Sequence, residues 1–434
     1  MNLLYPHLSV NAAGHLAIGG ADTLELAEQY GTPLYVMDEE VVRRMCRVYR
    51  QATEDAFGQG AMPLYASKAL CCSYMYRLAA EEGMGVDCVS GGELYTARHA
   101  GFPASRIYFH GNNKTDRDIR DALEMGVGTF VVDNREELDA LERIAAEIGR
   151  VQPILLRITP GIDPHTHKAI NTGRVDSKFG SAIETGQALD ITRYALTLEH
   201  VSLRGFHCHI GSQIFDRYPF VDAARIMVGF MATVRSETGF TARELNLGGG
   251  LGVPYTEYDR TVDYAAVIRE IGDEIRVICH DLDFPLPRVI LEPGRSLVAA
   301  AGITLYTVGA IKTIPGFRTY VSVDGGMPDN PRYALYQSQY TVLIANRPQE
   351  EPSWRVTVAG RCCESGDLIG ENLPLQPAVR GDILAVLTTG AYNYSMASNY
   401  NRLPRPALVM IRDGKPVPVI RRESYEDLIR NDLL

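Results

Sequence analysis

The sequence predicts an α/β fold: a (β/α)8 TIM-type barrel followed by a second, β-rich domain of barrel or sandwich type. Three observations predict it. Short apolar runs alternate with amphipathic segments over residues 63–291, which is the rhythm of a closed parallel barrel. Chemically reactive side chains follow several of these runs at the same end, where such barrels carry their active sites. After Arg295 the pattern changes to short strands separated by turn residues.

The predicted barrel strands are Pro63–Ala66, Gly85–Val89, Arg106–Phe109, Thr129–Val132, Ile154–Ile158, Leu203–Ile210, Glu244–Leu247 and Arg288–Leu291. Amphipathic spacing predicts helices between them, such as Ser73–Glu82, Arg135–Ile148 and Ala223–Glu237. Strands of the second domain are predicted at Ile303–Ile311, Thr319–Val323, Arg355–Ala359, Asp382–Leu387 and Ala407–Arg412. We place the barrel at residues 38–300, and the second domain at 1–37 together with 301–434.

Composition limits the classes of function. The chain has 434 residues, 46% of them hydrophobic, and a net charge of -10, which disfavours nucleic acid and anionic membranes as partners. The N-terminus shows no signal-peptide pattern, and no apolar run reaches the ~18 residues of a membrane helix. Eight cysteines occur without the spacing of a zinc site or a disulfide framework. We therefore expect a cytoplasmic protein with reduced thiols and no metal.

Lys68 is the first candidate catalytic residue, in the sequence Pro-Leu-Tyr-Ala-Ser-Lys-Ala. Alternation along a strand puts Leu64, Ala66 and Lys68 on one face, so the lysine is predicted to point into the barrel mouth. Desolvation there would make it a nucleophilic amine that can form an imine. The alternative is a surface lysine that extends from a strand end into solvent.

Two histidines stand two residues apart in Gly205-Phe-His-Cys-His-Ile-Gly-Ser. They share a strand face, with His209 nearer the mouth, where it could stack on a planar ring, and His207 deeper in the barrel. The hydroxyl of Ser212 follows at the strand end and could bond a phosphate oxygen. A metal site is the competing hypothesis, because two histidines on one face can bind zinc; it is disfavoured because no third ligand follows at a suitable spacing.

Two strand ends supply groups suited to an anionic, ring-containing ligand. Glycines ending at Gly250, in Asn-Leu-Gly-Gly-Gly-Leu-Gly, let the backbone aim N–H groups at an anion. The motif is neither a dinucleotide fingerprint nor a P-loop. In Leu-Glu-Pro-Gly-Arg, Glu292 could keep a pyridine nitrogen protonated, and Arg295 suits a phosphate or carboxylate. An internal salt bridge between Glu292 and Arg295 is the alternative.

The second domain carries two further candidates. In Cys-Glu-Ser-Gly-Asp, the Cys363 thiol could donate a proton and Glu364 could bind a substrate amine; the alternative is a buried cysteine beside an exposed glutamate. The loop 390–401 is dense in hydroxyl and amide groups, which favours a ligand-binding loop. His165 and His167, in a predicted loop, and Ser90 with Glu93, a capping-box pattern, are interpreted as structural.

Taken together and in this order, the motifs resemble those of the fold-type III pyridoxal-phosphate-dependent decarboxylases, and in detail the branch that acts on diaminopimelate. The resemblance covers essentially the whole chain. Its blocks are Tyr-Ala-Ser-Lys-Ala, Phe-His-Gly-Asn-Asn-Lys (109–114), Ser-Lys-Phe-Gly (177–180), His-Ile-Gly-Ser-Gln (209–213), Gly-Gly-Gly, Glu-Pro-Gly-Arg, Cys-Glu-Ser-Gly-Asp and Gly-Ala-Tyr…Ser-Met-Ala-Ser-Asn-Tyr-Asn. One departure is Tyr333, which stands where that family usually has proline.

The resemblance implies roles for individual residues. The implied catalytic residues are Lys68, Cys363 and His209, with Lys68 carrying pyridoxal 5'-phosphate, His209 on its ring and Cys363 as proton donor. The implied cofactor-binding residues also include Ser212, Gly250, Glu292, Gly294, Arg295 and Tyr392. The implied substrate-binding residues are Arg295, Arg332, Tyr336, Glu364 and Tyr392. Cys363 is chosen over its neighbour Cys362 by its register with Glu364, and both Cys363 and Glu364 would reach the site of a partner subunit in a homodimer.

The implied activity is decarboxylation of meso-2,6-diaminopimelate to L-lysine and carbon dioxide, the last step of lysine biosynthesis. Three alternatives remain at this point. A related decarboxylase could act on another basic amino acid or a carboxylated polyamine. A racemase could share the barrel and cofactor. A homologue without activity could bind and regulate a partner, although Lys68 and Cys363 are both present here.

Overall fold

The computed structural model describes residues 3–162 and 178–433. The chain divides into two compact units. The barrel unit comprises Met45–Gly252 and Thr261–Gly294, and the β unit comprises Met1–Arg44, Val253–Arg260 and Arg295–Leu434. Of the residues singled out above, His165, His167 and Ser177 lie outside the described part of the chain.

The strands are, in chain order, β1 (Leu8–Val10), β2 (Leu16–Ile18), β3 (Ala21–Asp22), β4 (Leu34–Asp38), β5 (Met62–Ala66), β6 (Gly85–Cys88), β7 (Ile107–Phe109), β8 (Thr129–Val132), β9 (Gln152–Thr159), β10 (Ser181–Ala182), β11 (Val201–His207), β12 (Glu244–Asn246), β13 (Arg288–Leu291), β14 (Gly302–Ile314), β15 (Arg318–Val323), β16 (Val342–Ile344), β17 (Trp354–Ala359), β18 (Leu368–Leu375), β19 (Ile383–Leu387), β20 (Ala407–Arg412) and β21 (Lys415–Ile420).

The helices are α1 (Thr23–Tyr30), α2 (Glu39–Phe57), α3 (Ser73–Glu81), α4 (Gly91–His99), α5 (Asp116–Met125), α6 (Arg135–Ile148), α7 (Gln187–Ala195), α8 (Tyr218–Thr238), α9 (Tyr264–Asp281), α10 (Arg295–Val298), α11 (Arg332–Tyr336) and α12 (Tyr425–Ile429). Three of them end at Gly126, Gly149 and Gly239, whose positive φ angles suit a residue without a Cβ. Within the described residues, no helix is both long and apolar enough to cross a membrane.

The barrel unit is a closed parallel ring in the order β5-β6-β7-β8-β9-β11-β12-β13, with β13 pairing back to β5. Its interior holds a layer of side chains contributed by five strands: Leu64, Tyr108, Val131, Leu155 and Ile290. Filling of this kind makes such a barrel a packed core and leaves its loops free for chemistry. All eight predicted runs overlap the eight strands of the ring, so the predicted barrel is confirmed.

A buried ion pair fixes the loop after β7. The Lys114 ammonium lies 2.7 Å from the Glu137 carboxylate, with the two side chains 1% and 2% exposed. It also donates to the carbonyl oxygens of Gly111 and Val131, at 3.0 and 2.8 Å. Burial raises the pKa of Glu137, and the charge of Lys114 opposes that rise. This lysine is therefore a structural part of the Phe-His-Gly-Asn-Asn-Lys block.

We expect Lys114→Ala to lower the free energy of unfolding by about 3–5 kcal/mol, because it leaves the Glu137 carboxylate buried without its cation. Denaturant-induced unfolding followed by circular dichroism measures the change. Arg143→Ala, which removes exposed pairs with Asp116 and Glu147 in the same unit, should leave the unfolding midpoint almost unchanged. Equal effects of the two substitutions would contradict the structural role of Lys114.

The β unit contains a sheet in the order β18-β17-β15-β14-β4-β20-β21, and β19 pairs with both β14 and β16. The predicted β-rich second domain is thus confirmed. Near the N-terminus, β4 pairs with β14 in antiparallel and with β20 in parallel register. The strands at the two ends of this path, β18 and β21, contain prolines, which edge strands tolerate because they have one side without a ladder partner.

Candidate active site

Lys68 lies in a single 3-10 turn, Ser67–Ala69, directly after β5. Because the strand ends at Ala66, the prediction that Lys68 shares the strand face of Leu64 and Ala66 is wrong. The predicted desolvation is also wrong in this structure, since the Lys68 side chain is exposed. The turn itself is held firmly: Ser67 Oγ donates to the Asp87 carbonyl oxygen at 2.8 Å, and the Ala66 N–H donates to the Pro293 carbonyl oxygen at 3.0 Å.

Two carboxylates near Lys68 were not predicted as site residues. Burial raises the pKa of Asp87, and the charges of His110 and Lys68 act on it in the opposite sense. Burial likewise raises the pKa of Glu93, which accepts a hydrogen bond from the Val89 N–H at 2.7 Å. Ser90 caps α4 as expected, but Glu93 does not complete a capping box, because its carboxylate bonds Val89 instead of Ser90. Asp87 could have been suspected from its position near the end of β6, whereas Glu93 lies in the first turn of α4.

His209 follows β11 and is held against the glycine loop. The Gly249 N–H donates to His209 Nδ1 at 3.3 Å. Desolvation and the nearby Lys68 lower the pKa of His209 well below its ordinary value, so the ring is neutral at pH 7. A neutral imidazole fixed through one nitrogen presents a face on which a planar ring can stack.

The glycine loop packs too closely for side chains. A Cβ on Gly249 would lie 2.1 Å from the Glu292 carbonyl oxygen, and one on Gly250, whose φ is +130°, would lie 2.5 Å from the Gly211 carbonyl oxygen. The Ile214 N–H donates to the Gly250 carbonyl oxygen at 3.0 Å, which joins the glycine loop to the loop that carries Ser212. The structure therefore brings the predicted Ser212 and glycine segments together.

Glu292 is buried directly after β13. Asn246 Nδ2 donates to its Oε1 at 2.7 Å, and His207 Nε2 lies 3.2 Å from its Oε2. His110 Nε2 lies 2.8 Å from Oε1. Burial alone would raise the pKa of Glu292, but the two histidines lower it well below the usual range. Glu292 is thus an ionised carboxylate at neutral pH, as a partner for a protonated pyridine nitrogen must be.

In the β unit, two buried guanidinium groups lie over the ring of Tyr392. The distances from the ring centre are 4.7 Å for Arg295 and 5.4 Å for Arg332. Arg295 Nη1 also donates to the Tyr255 hydroxyl at 2.8 Å, and Arg332 lies 5.1 Å from the ring centre of Tyr336. Two cations on one aromatic ring form a site for anionic groups such as carboxylate or phosphate. Tyr255 was not predicted from the sequence.

Asn330 and Arg332 carry buried polar atoms that have no hydrogen-bond partner within the described residues. These atoms are Nδ2 and Oδ1 of Asn330 and Nε of Arg332. Buried polar atoms of this kind are costly unless a partner satisfies them. They fit a polar ligand at this cluster. Asn330 carries no sequence signal of its own, because a single asparagine after a turn is ordinary.

The thiol candidates differ in exposure. Cys363 and Glu364 are both exposed, so the alternative of a buried Cys363 is wrong. Cys362 is half-buried, and burial raises its pKa to about 12. The Cys363 N–H donates to Asn401 Oδ1 at 2.8 Å, which ties this turn to the loop 390–401.

Asp367 holds the turn that carries Cys363. Its carboxylate accepts hydrogen bonds from the backbone N–H groups of Met327 and Cys362, each at 2.6 Å. A Cβ on either Gly326 or Gly360 would lie 2.2 Å from this carboxylate, so the two glycines make room for it. Asp367 thereby links the Cys363 turn to the segment that leads to Arg332.

We expect Asp367→Ala to lower the free energy of unfolding by about 2–4 kcal/mol, because two partly buried N–H groups lose a charged acceptor. Activity should fall as well, since the Cys363 turn loses its anchor. Thermal unfolding and initial rates measure both effects. Glu364→Ala, on the exposed side of the same turn, should leave the thermal midpoint close to that of the parent protein. An Asp367→Ala protein as stable as the parent would exclude the anchoring role.

Comparison with known proteins first shows the broad enzyme class to which the chain belongs. Residues 40–299 match the family model "Pyridoxal-dependent decarboxylase, pyridoxal binding domain". A solved lysine/ornithine decarboxylase from Vibrio vulnificus, complexed with cadaverine, superimposes with a TM-score of 0.75 at 26% identity, covering 90% of this chain and 97% of that one. The fold and the cofactor are therefore those of the pyridoxal-phosphate-dependent decarboxylases.

Two further comparisons narrow this class. The chain is 49% identical to the diaminopimelate decarboxylase of Bacillus subtilis (strain 168), over 98% of this chain and 96% of the relative. It superimposes on diaminopimelate decarboxylase from M. jannaschii in complex with L-lysine with a TM-score of 0.90 at 37% identity, covering 99% of this chain and 98% of that one. The chain belongs to the diaminopimelate decarboxylase family.

Proposed function

We propose that this enzyme converts meso-2,6-diaminopimelate to L-lysine and carbon dioxide with pyridoxal 5'-phosphate as cofactor. The observation that carries the proposal is the pair of buried guanidinium groups over Tyr392. A substrate with two carboxylates needs fixed cations, and arginine binds carboxylate through two parallel hydrogen bonds. The solved M. jannaschii relative in complex with L-lysine supports the same product.

The residues of the barrel unit fit the cofactor. When bound, pyridoxal phosphate supplies an electron sink for the bond that breaks. Lys68 would bind its aldehyde, the neutral ring of His209 would stack on its ring, and Glu292 would hold the proton on its nitrogen. We assign the remaining cofactor contacts to Ser212, Gly250 and Gly294 of the barrel unit and to Arg295 and Tyr392 of the β unit.

The residues of the β unit fit the substrate. Arg295, Arg332, Tyr336 and Tyr392 would bind carboxylate groups, and Glu364 would bind the distal amine through an ion pair. Cys363 would deliver a proton to the carbon that has lost its carboxylate. The Cys363 thiol is a suitable donor because it is exposed. Glu364, the proposed ligand of the distal amine, is its neighbour in sequence and is exposed as well.

We also propose that the chain acts as a cytoplasmic homodimer in which Cys363 and Glu364 complete the active site of the partner subunit. Their exposure supports this, as do the exposed apolar side chains of Leu335 and Tyr400 in the same unit. The eight free cysteines are consistent with a reducing compartment.

Mixing inactive Lys68→Ala and Cys363→Ala subunits should restore roughly a quarter of the activity, because half of the dimers then carry one intact site. Absence of any recovery in exchanged dimers would exclude a shared site.

The proposed reaction is tested by carbon dioxide release from purified enzyme with pyridoxal phosphate and a panel of meso-diaminopimelate, lysine, ornithine and arginine. We expect release from meso-diaminopimelate alone, with L-lysine as the product. Release from ornithine or lysine would instead favour the second candidate, a decarboxylase of another basic amino acid, which the likeness to the Vibrio vulnificus enzyme makes the relevant alternative. Interconversion of enantiomers without gas release would indicate a racemase.

A further inference from the structure

We propose that His110 and His207 are positioning residues that hold the Glu292 carboxylate charged and aligned for the cofactor nitrogen. The inference rests on the proposed function and goes beyond it by naming the residues that control this carboxylate. Neither histidine was assigned such a role from the sequence, where His207 was placed in a deeper layer of the barrel or, as the competing hypothesis, at a metal site.

The four side chains of this network are supplied by four different strands of the ring. His110 follows β7, His207 ends β11, Asn246 ends β12, and Glu292 follows β13. All four side chains are buried, with Asn246 fully so. The two imidazole rings meet edge to face, 4.8 Å apart at their centres, around the same carboxylate. The closure of the barrel thus places two imidazole rings and one side-chain amide around one carboxylate.

The two carboxylate oxygens of Glu292 have different surroundings. Oε1 accepts from Asn246 at 2.7 Å and lies 2.8 Å from His110 Nε2, although this contact is not aligned as a straight hydrogen bond. Within the described part of the chain, Oε2 has one hydrogen-bond contact, with His207 Nε2 at 3.2 Å. A nitrogen without a hydrogen at 2.8 Å would be repelled by the negative Oε1, so the His110 tautomer with its hydrogen on Nε2 is the favoured one. Oε2 has the larger remaining capacity to accept a hydrogen bond from a ligand.

The same contacts determine the charge of the network. Burial lowers the pKa of His207 to about 4, so this ring is neutral at pH 7 and donates through Nε2. Asn246 is fixed in turn, because its Oδ1 accepts from the Gly248 N–H at 2.9 Å. A carboxylate that loses such donors in a buried site binds a proton itself. It can then no longer accept the proton of a pyridine nitrogen.

A metal ion is the competing explanation, since ligand atoms of His110, His207 and Glu292 all lie within 4.8 Å of one another. Two ligands of one tetrahedral zinc are roughly 3.3 Å apart, given metal–ligand distances of about 2.0–2.1 Å. The 2.8 Å between His110 Nε2 and Glu292 Oε1 is shorter than that and fits a direct contact. The amide of Asn246 also occupies the same oxygen. The observations therefore favour a metal-free network.

The test compares His207→Leu and His110→Leu with His207→Gln and His110→Gln, which retain a donor. We expect each leucine variant to lower kcat by about tenfold to a hundredfold with KM changed less than threefold, the size of losing one hydrogen bond to a charged group. The cofactor should bind more weakly, and its absorbance should shift towards the species without a protonated ring. The glutamine variants should recover part of each property. His200→Ala, which removes a partly exposed contact with Glu142, is the matched control.

Cofactor binding by absorbance titration gives a readout independent of turnover. If the leucine variants do not fold, infrared difference spectra of the parent protein against Glu292→Gln report directly whether Glu292 is ionised. Unchanged affinity, spectrum and kcat in folded leucine variants, a protonated Glu292, or one equivalent of metal by mass spectrometry would each overturn the inference. A parent protein that binds no pyridoxal phosphate would instead overturn the proposed function.

Discussion

Lys68→Ala is expected to abolish decarboxylation, with kcat lowered by about four orders of magnitude or more, because the amine that binds the aldehyde is removed. The variant should also lose the absorbance, near the violet end of the visible range, of the imine between pyridoxal phosphate and the lysine side chain. Absorbance spectra of protein reconstituted with pyridoxal phosphate measure this directly. A folding defect is unexpected, because the truncated Lys68 side chain is exposed.

Lys312→Ala, at an exposed position of β14, is the control for the loss of one lysine charge. It should keep both the spectrum and the rate of the parent protein. An unchanged cofactor spectrum in Lys68→Ala would remove Lys68 from its assigned role and, with it, the assignment of the barrel mouth.

Cys363→Ala is expected to give the second largest loss, lowering kcat by about a hundredfold to ten-thousandfold, the range for removal of a general acid. The cofactor spectrum should be unaffected, because the thiol is not assigned to cofactor binding. Initial rates of lysine formation measure the change. The adjacent Cys362→Ala supplies the matched control.

Cys362→Ala should keep most of the activity, since burial raises the pKa of Cys362 to about 12 and its thiol is half-buried, whereas Cys363 is exposed. The reverse result, an active Cys363→Ala and an inactive Cys362→Ala, would show that the register with Glu364 assigned the wrong cysteine.

The barrel could be predicted from the sequence because each of its strands is a short apolar run between turns. Strand ends were less predictable. The run Leu203–Ile210 continues past the point where β11 ends at His207, because apolar residues carry on into the loop. Lys68 was placed on a strand by the same reasoning, yet hydrogen bonds to Asp87 and Pro293 fold that segment into a turn.

In the β unit, the sequence analysis missed the short strands β1 and β3 and also β16, β18 and β21. The sequence of β18, Leu-Ile-Gly-Glu-Asn-Leu-Pro-Leu, and the two prolines of β21 resemble loops by composition. The prolines of β18 and β21 are compatible with strands because these two strands lie at the ends of the sheet. The position of a strand in the sheet depends on pairing between distant segments, which local sequence patterns do not reveal.

Single motifs were enough to propose roles for Lys68, His209 and Glu292, and those roles stay predictions. Contacts between groups on separate strands could not be proposed in this way. His110, His207, Asn246 and Glu292 are far apart in sequence and meet only because the ring closes. Asp367 was overlooked for a similar reason, because its acceptor role depends on backbone N–H groups of two different segments.

The central claim is that Lys68 at the barrel mouth binds pyridoxal phosphate. Reduction of the reconstituted protein with borohydride, followed by proteolysis and mass spectrometry, tests it most directly. The account predicts one pyridoxyl phosphate group per chain, on the peptide that contains Lys68. A label on a different lysine, or a protein that takes up no cofactor, would contradict it.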